Sequence, residues 1–125
     1  MSTATEKTVN VAVVGLGFMG VTHLRAYLAN PQARVVAVCD AMRVPVNGVL
    51  AGVSGNITKS DDIDLGPDVK VYRTPEELLA DADVELVDLC TPTPLHAAQV
   101  IAALNAVLYW MARWRRKLAS VELRL

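Results

Sequence analysis

The sequence predicts an α/β protein in which a doubly wound parallel sheet lies between two layers of helices. Three observations support this three-layer αβα prediction. Short β-branched runs alternate with helix-like segments, the connections between them are mostly short, and hydrophobic residues make up 53% of the 125 residues. Alternating β-α units favour a parallel sheet with right-handed crossovers. Because both faces of such a sheet are covered, its strands are apolar throughout, which accounts for the high hydrophobic content.

The first β-α-β unit is the clearest part of the pattern. A β-branched run predicts a strand over Val9–Val14, and helical spacing of apolar residues predicts a helix over Met19–Ala29. Asn30 and Pro31 end this helix because proline cannot continue it. The second strand is predicted over 34–39 and closes on Asp40.

The segment after the second strand has no clear period. Residues 41–52 are compatible with a short helix, although Pro45 and Gly48 favour a broken one. Residues 53–68 are rich in Gly, Ser and Asp and are predicted to form a loop. A short third strand is expected over 69–72.

The next helix carries strong start signals. Thr74 is placed to be the N-cap, Pro75 occupies the first helical position, and Glu77 completes a capping box. Leu78 and Leu79 supply the apolar face of this helix. A fourth strand is predicted from Val84 to Cys90 because the run is again rich in apolar residues.

The last third of the chain predicts two further helices. One begins at Pro94 and runs to about Ala106, with Val100, Ile101 and Leu104 facing inward. Residues 107–110 are a candidate fifth strand, and residues 112–125 a basic helix. The whole chain then divides into a polar tail over residues 1–8, a main domain over 9–110 and a basic amphipathic segment over 111–125.

The run 13–20 reads Val-Val-Gly-Leu-Gly-Phe-Met-Gly and joins the first strand to the first helix. In this Gly-x-Gly-x-x-Gly pattern Gly15 allows a sharp turn, Gly17 leaves room for a pyrophosphate, and Gly20 allows close packing of helix on sheet. The N-terminus of the helix offers N–H groups and a positive dipole to phosphates. The motif therefore predicts a dinucleotide-binding site.

Asp40 lies 20 positions beyond Gly20, at the end of the second strand. A carboxylate there accepts hydrogen bonds from the ribose hydroxyls of the adenosine and repels a 2′-phosphate. This favours NAD over NADP. Arg43 follows closely, however, and an arginine at this position is also able to clamp a 2′-phosphate, so NADP remains the less favoured alternative.

The segment Thr91-Pro92-Thr93-Pro94-Leu95-His96 follows the fourth strand and opens a helix. Ligands of open α/β sheets bind beyond the carboxyl ends of the strands, so this segment is predicted to line the same crevice as the glycine motif. Its prolines stiffen a loop suited to contact a nicotinamide or its ribose, and Thr91 and Thr93 offer hydroxyls. His96 is either a site residue or a packing histidine. For His23, on the first helix, packing is favoured.

Composition excludes several other functions. The formal net charge of −1 gives no general attraction to nucleic acid or acidic membranes. The residues before Val9 are polar and lack the apolar run of a signal peptide, and no segment is long enough to span a bilayer. Cys39 and Cys90 each end an apolar run and are interpreted as buried small residues, not as a disulfide or metal ligands. A cytoplasmic location is expected, and no metal site or catalytic residue is assigned.

Together these motifs resemble the family of glucose–fructose oxidoreductase and inositol dehydrogenase, NAD(P)-dependent enzymes that act on sugars and polyols. The resemblance covers residues 9–106 apart from the longer loop near 43–68. It is carried by the glycine motif, by the second strand ending in Asp40, by the stretch 74–88 and by the Thr-Pro-x-x-x-His element at 91–96.

The resemblance implies roles for individual residues and a reaction, hydride transfer at CH–OH groups. Pyrophosphate would be held by Gly15, Phe18, Met19 and Gly20, ribose by Asp40, and the nicotinamide side would be bordered by Thr91, Pro92 and His96.

After Ala106 the sequence departs from the family pattern. Members of the family continue with Gly-Lys-His and Glu-Lys-Pro, whose lysine assists proton transfer, but no Glu-Lys-Pro occurs here. The expected C-terminal substrate domain is missing from the 125 residues. Losing a positioned acid–base group costs roughly 10²- to 10⁴-fold in rate. The chain is therefore expected to bind a dinucleotide without turning over a substrate alone.

Two other functions remain open from the sequence. One is a non-catalytic nucleotide-binding or regulatory module, and the other is a fragment that folds but occurs only in assemblies. In the basic tail Trp110, Trp114 and Leu118 share one helical face. Such a face packs on the sheet or supports self-association, and membrane contact is the least favoured use.

Overall fold

The structure is a computed structural model and describes residues 7–53 and 61–107. In chain order its elements are β1 (Val9–Val14), α1 (Phe18–Ala29), β2 (Ala33–Cys39), β3 (Val49–Leu50), β4 (Ile63–Asp64), β5 (Lys70–Tyr72), α2 (Pro75–Leu79) and β6 (Leu86–Leu89). A 3₁₀ turn over Thr93–Leu95 leads into α3, which is helical over 96–107.

Four of the strands form a parallel sheet in the order β5-β2-β1-β6. This order, with crossovers through the helices, confirms the predicted doubly wound arrangement. The pairing of β1 with β2 has one irregularity. Val11 pairs with Val35 and Ala12 with Ala37, so Val36 is an extra residue and forms a β-bulge. Because the strands are parallel, their carboxyl ends lie at one edge of the sheet.

Both faces of the sheet are covered, as the three-layer prediction requires. Val11 and Val13 of β1 pack in one cluster with Leu24 of α1. Ala12 and Val14, which point to the opposite face, pack in a second cluster with Leu78 of α2. The strand period of two thus divides β1 between two hydrophobic cores.

Residues 41–52 form no helix, in line with the presence of Pro45 and Gly48, whereas the prediction of a loop over 53–68 is wrong in part. The described residues of that segment contain β4, which pairs antiparallel with β3. Leu50, Ile63 and Leu65 are at most 9% exposed and join the cluster on the α1 side of the sheet. Burial of these three side chains stabilises strands too short to show a period in the sequence.

The prediction of Thr74 as the N-cap of α2 is confirmed, because the Thr74 hydroxyl accepts a hydrogen bond from the Glu77 backbone N–H. The predictions for α3 are less accurate. Val100, Ile101 and Leu104 are 45%, 59% and 59% exposed, although Val100 and Leu104 line a cavity together with Val87 and Leu89 of β6.

Val107 belongs to α3 and not to a fifth strand. The remainder of that predicted strand, residues 108–110, and the predicted basic helix over 112–125 lie outside the described residues. Within residues 7–53 and 61–107, no helix has the length and apolar character needed to cross a membrane.

Candidate cofactor-binding site

A cavity of about 750 Å³ opens at the carboxyl ends of β1, β2 and β6. Of the predicted site residues, it is lined by Gly15, Gly17, Phe18, Met19, Asp40, Arg43, Thr91 and Pro92. Gly20, Thr93 and His96 are outside this lining. Three separated segments of the chain therefore meet where the sequence predicts a dinucleotide.

The three glycines of the motif differ in their surroundings. Gly15 has φ +92°, and a Cβ there would lie 2.7 Å from the carbonyl carbon and oxygen of Cys90. A Cβ on Gly20 would lie 1.7 Å from the Gly15 oxygen. A Cβ on Gly17 would meet nothing within 4 Å. Gly15 and Gly20 are thus required by the packing of the turn, whereas Gly17 faces open space that a ligand is able to enter.

Gly17 is also the N-cap of α1, and the first turn of this helix contains no acidic residue. The first N–H groups of a helix have no intrahelical partners, and the helix dipole adds positive potential at this end. Phe18 and Met19 follow Gly17 and are 56% and 52% exposed. The turn therefore offers backbone donors to an anion, which matches the chemistry of a pyrophosphate.

Asp40 is held at the neighbouring strand end by three backbone groups. Its carboxylate accepts hydrogen bonds from the N–H groups of Leu16 at 2.8 Å, Met42 at 2.9 Å and Arg43 at 2.8 Å. Burial raises the pKa of Asp40, but these hydrogen bonds and the Arg43 charge outweigh it and hold the pKa below its usual value. The ionised carboxylate retains acceptor capacity for ribose hydroxyls.

Two arginines lie beside Asp40. The Arg43 guanidinium donates to the backbone oxygen of Ala51, and Arg73 donates to the backbone oxygen of Ala41 at 3.1 Å. Arg73 was not predicted as a site residue, yet it lines the cavity. Its signal in the sequence is its position directly after the third predicted strand, at the same edge of the sheet.

The segment after β6 is fastened by its own side chains. The Thr91 hydroxyl donates to the Gln99 side-chain oxygen, and His96 Nε2 bonds to the backbone oxygen of Thr91. Thr93 begins the 3₁₀ turn. His96 therefore braces the segment that borders the cavity. Gln99, which the sequence analysis missed, lines the cavity in its place.

A second carboxylate lies behind the glycine turn. Asp88 Oδ2 is 2.8 Å from His23 Nδ1 and accepts a 2.8 Å hydrogen bond from the Tyr27 hydroxyl, while the Cys90 thiol donates to Oδ1 at 3.3 Å. Burial raises the pKa of Asp88, but the hydrogen bonds with its three partners outweigh this effect and hold the pKa below its usual value. The carboxyl group therefore stays ionised. Burial and the nearby carboxylate raise the pKa of Cys90 to about 12. This cluster was not predicted from the sequence.

Comparisons with known proteins identify relatives of this chain. The GFO_IDH_MocA model, described as an oxidoreductase family with an NAD-binding Rossmann fold, matches residues 9–109. An inositol 2-dehydrogenase of Mycolicibacterium smegmatis is 33% identical over 96 residues, which are 76% of this chain and 24% of the relative. A glycosyl hydrolase family 109 protein of Streptomyces niveus is 33% identical over 91 residues, 73% of this chain and 18% of the relative.

Among solved structures, a scyllo-inositol dehydrogenase from Lactobacillus casei with bound NAD(H) and scyllo-inositol is similar to the chain with a TM-score of 0.58 and 21% identity. The match covers 80% of this chain and 26% of that structure, so the chain spans about a quarter of its length. The resemblance inferred from the motifs is confirmed. The chain belongs to the GFO_IDH_MocA oxidoreductase family and carries the NAD-binding Rossmann fold of that family.

Proposed function

We propose that this chain holds NAD(H) across the carboxyl ends of its strands, for hydride transfer at a sugar or polyol CH–OH group. The observation that carries the proposal is the cavity of about 750 Å³ in which the glycine turn, Asp40 and the Thr91–Pro92 segment meet. A nicotinamide cofactor supplies the hydride chemistry, and the residues of the chain bind and orient it.

Each part of the cavity suits one part of the cofactor. The open space at Gly17 and the donors at the start of α1 support pyrophosphate binding. Asp40 is ionised and suits the ribose diol, and its charge disfavours a 2′-phosphate. Arg43 donates to the backbone oxygen of Ala51 and also lines the cavity, so NADP remains the less favoured alternative. Thr91 and Pro92 border the remaining end, where the nicotinamide would lie.

The substrate class rests on likeness to relatives such as inositol 2-dehydrogenase. These 125 residues contain no Glu-Lys-Pro, the motif expected to supply the acid–base lysine. We therefore expect binding without turnover from this chain alone. Without a positioned base, roughly 10²- to 10⁴-fold in rate is lost.

Two further features belong to the proposal. The exposed apolar side chains of α3 support self-association, and analytical ultracentrifugation measures it directly. The free thiols of Cys39 and Cys90 support residence in a reducing compartment such as the cytoplasm.

Isothermal calorimetry with NADH tests the proposal. We expect saturable binding at one NADH per chain, weaker binding of NADPH, and no heat from coenzyme A. With NAD and myo-inositol together, we expect no growth of NADH absorbance. No heat of NADH binding from folded protein would overturn the proposal, and binding of coenzyme A in preference to NADH would favour a non-catalytic nucleotide-binding module.

A further inference from the structure

We propose that His23, Asp88 and Cys90 form a binding site for a divalent cation of the Zn²⁺ type. One ligand atom from each side chain, an imidazole nitrogen, a carboxylate oxygen and a sulfur, lies within 4.8 Å of both others. This site is separate from the proposed NAD(H) function: only Cys90 also borders the cofactor cavity, and neither His23 nor Asp88 lines it.

Two rigid elements bring the ligands together. His23 projects from the second turn of α1, while Asp88 lies in β6 and Cys90 directly follows it. A spacing of two places Asp88 and Cys90 on the same face of the sheet, the face that α1 covers. The ligands are thus positioned by the fold, and cation binding requires no rearrangement of the backbone.

The distances between ligand atoms are close to those of a tetrahedral site. Zn–S, Zn–N and Zn–O bonds of about 2.3, 2.0 and 2.0 Å imply ligand separations of about 3.3 to 3.6 Å. In this structure His23 Nδ1 is 2.8 Å from Asp88 Oδ2 and 3.3 Å from Cys90 Sγ, and Sγ is 3.3 Å from Asp88 Oδ1. Small side-chain rotations that move these ligand atoms by a few tenths of an ångström open a space for the ion.

The donor set selects the kind of cation. Thiolate and imidazole favour Zn²⁺ over Mg²⁺ and Ca²⁺, which prefer oxygen ligands. When the ion binds, the Cys90 sulfur forms the bond to the metal and its proton leaves to solvent. A thiolate, a carboxylate and a neutral imidazole then balance the two positive charges.

Access and support are also present. The His23 side chain is 42% exposed and that of Asp88 16%, so an ion and a water molecule as fourth ligand are able to enter beside α1. The Tyr27 hydroxyl donates to Asp88 Oδ2. Such a partner orients a ligating carboxylate without binding the ion itself.

A titration of the intact chain with Co²⁺, followed by Zn²⁺, tests the proposal. We expect a near-ultraviolet thiolate-to-cobalt charge-transfer band that saturates at one Co²⁺ per chain and is abolished by Zn²⁺. The chain contains two cysteines and two histidines, which provide matched controls. Cys90→Ser should abolish the band and Cys39→Ser should keep it. His23→Gln should weaken Co²⁺ binding at least tenfold, and His96→Gln should leave it unchanged.

A second measurement does not depend on the folding of the variants. In the natural chain, Zn²⁺ should slow alkylation of Cys90 at least tenfold, as followed by mass spectrometry of the peptide that contains it, whereas Mg²⁺ should not. The proposal is overturned by the absence of a charge-transfer band, by a band that persists in Cys90→Ser, or by Cys90 alkylation that Zn²⁺ leaves unchanged.

Discussion

The ends of β2 and β6 each carry an aspartate, and the two carboxylates are held in different ways. Asp40 accepts three hydrogen bonds, all from backbone N–H groups. Asp88 is held by the side chains of His23, Tyr27 and Cys90. The glycine turn and the start of α1 lie between these two strand ends.

The two carboxylates are thus held in place by different kinds of donor, backbone N–H groups for Asp40 and side chains for Asp88. A carboxylate bound by backbone amides keeps its position through most changes of neighbouring side chains, because every residue except proline supplies the same donor. A carboxylate bound by side chains depends on the identity of each of them. The first arrangement suits a fixed cofactor contact, and the second suits a site whose partners are exchanged when an ion binds.

The largest effect is expected from displacing the glycine turn. This turn lies between Asp40 and Asp88, so its movement disturbs both carboxylates and removes the difference between them. In Gly20→Ala the new Cβ would meet the Gly15 oxygen at 1.7 Å, so the turn and Leu16 must move. We expect a loss of about 3 kcal/mol or more in the free energy of unfolding, measured by urea denaturation. Equal stability of Gly20→Ala and the natural chain would contradict the described packing.

Gly17→Ala is the matched control, because its Cβ meets no atom within 4 Å. We expect its stability to change by no more than about 1 kcal/mol. NADH affinity should nevertheless fall by about tenfold, since the methyl group enters the space assigned to the pyrophosphate.

The next effect separates the roles of Asp40 and Asp88 in cofactor binding, because each carboxylate is removed in turn. Asp40→Ala should weaken NADH binding about 10- to 100-fold, the range expected for hydrogen bonds to a charged group. NADPH binding should fall less, because the substitution also removes a repulsion. Asp88→Ala should leave NADH affinity within about threefold, because this carboxylate does not line the cavity. Equal losses of NADH and NADPH in Asp40→Ala would refute the assignment of Asp40 to the ribose, and calorimetry measures each affinity.

The smallest effect concerns pH. The pKa of Asp40 is lowered in the folded state, so the ionised form is favoured by folding. Its stabilisation is therefore complete above the unfolded pKa of about 3.9 and is lost as the pH falls through the lower folded value. The destabilisation of Asp40→Asn, measured by urea denaturation, should be larger at pH 7 than at pH 3. Gly17→Ala changes no charge and should lower the free energy of unfolding by the same amount at pH 7 and pH 3. A loss of stability in Asp40→Asn that does not depend on pH would contradict this explanation.

Much of the fold follows from local patterns in the sequence. The run Val9–Val14, the glycine motif and the cap at Thr74 each carry their signal within a few residues, and the structure agrees with them. The pair β3 and β4 could not be predicted in this way. Each strand has two residues, and Leu50 and Ile63 are buried by contacts with distant parts of the chain.

The candidate site shows the same limit. Its glycines and Asp40 have fixed spacings, but the Asp88 cluster combines two patterns from different elements. His23 and Tyr27 lie four apart on α1, and Asp88 and Cys90 lie two apart along a strand. Each spacing is visible in the sequence and is ordinary in itself. Only the packing of α1 against β6 brings the four side chains to one point.

The β-bulge at Val36 determines which residue reaches the turn. Val35 packs on the α1 side of the sheet, and with strict alternation Asp40 would point to the opposite side. The extra residue reverses this parity, so Val36 and Ala37 both pack on the α2 side and Val38 returns to the α1 side. Asp40 then meets the Leu16 amide. A β2 shortened by one residue would keep its apolar composition yet lose the Leu16 contact of Asp40 and, with it, the proposed contact with ribose, so the length of this strand matters to the proposed binding site as much as the acid that follows it.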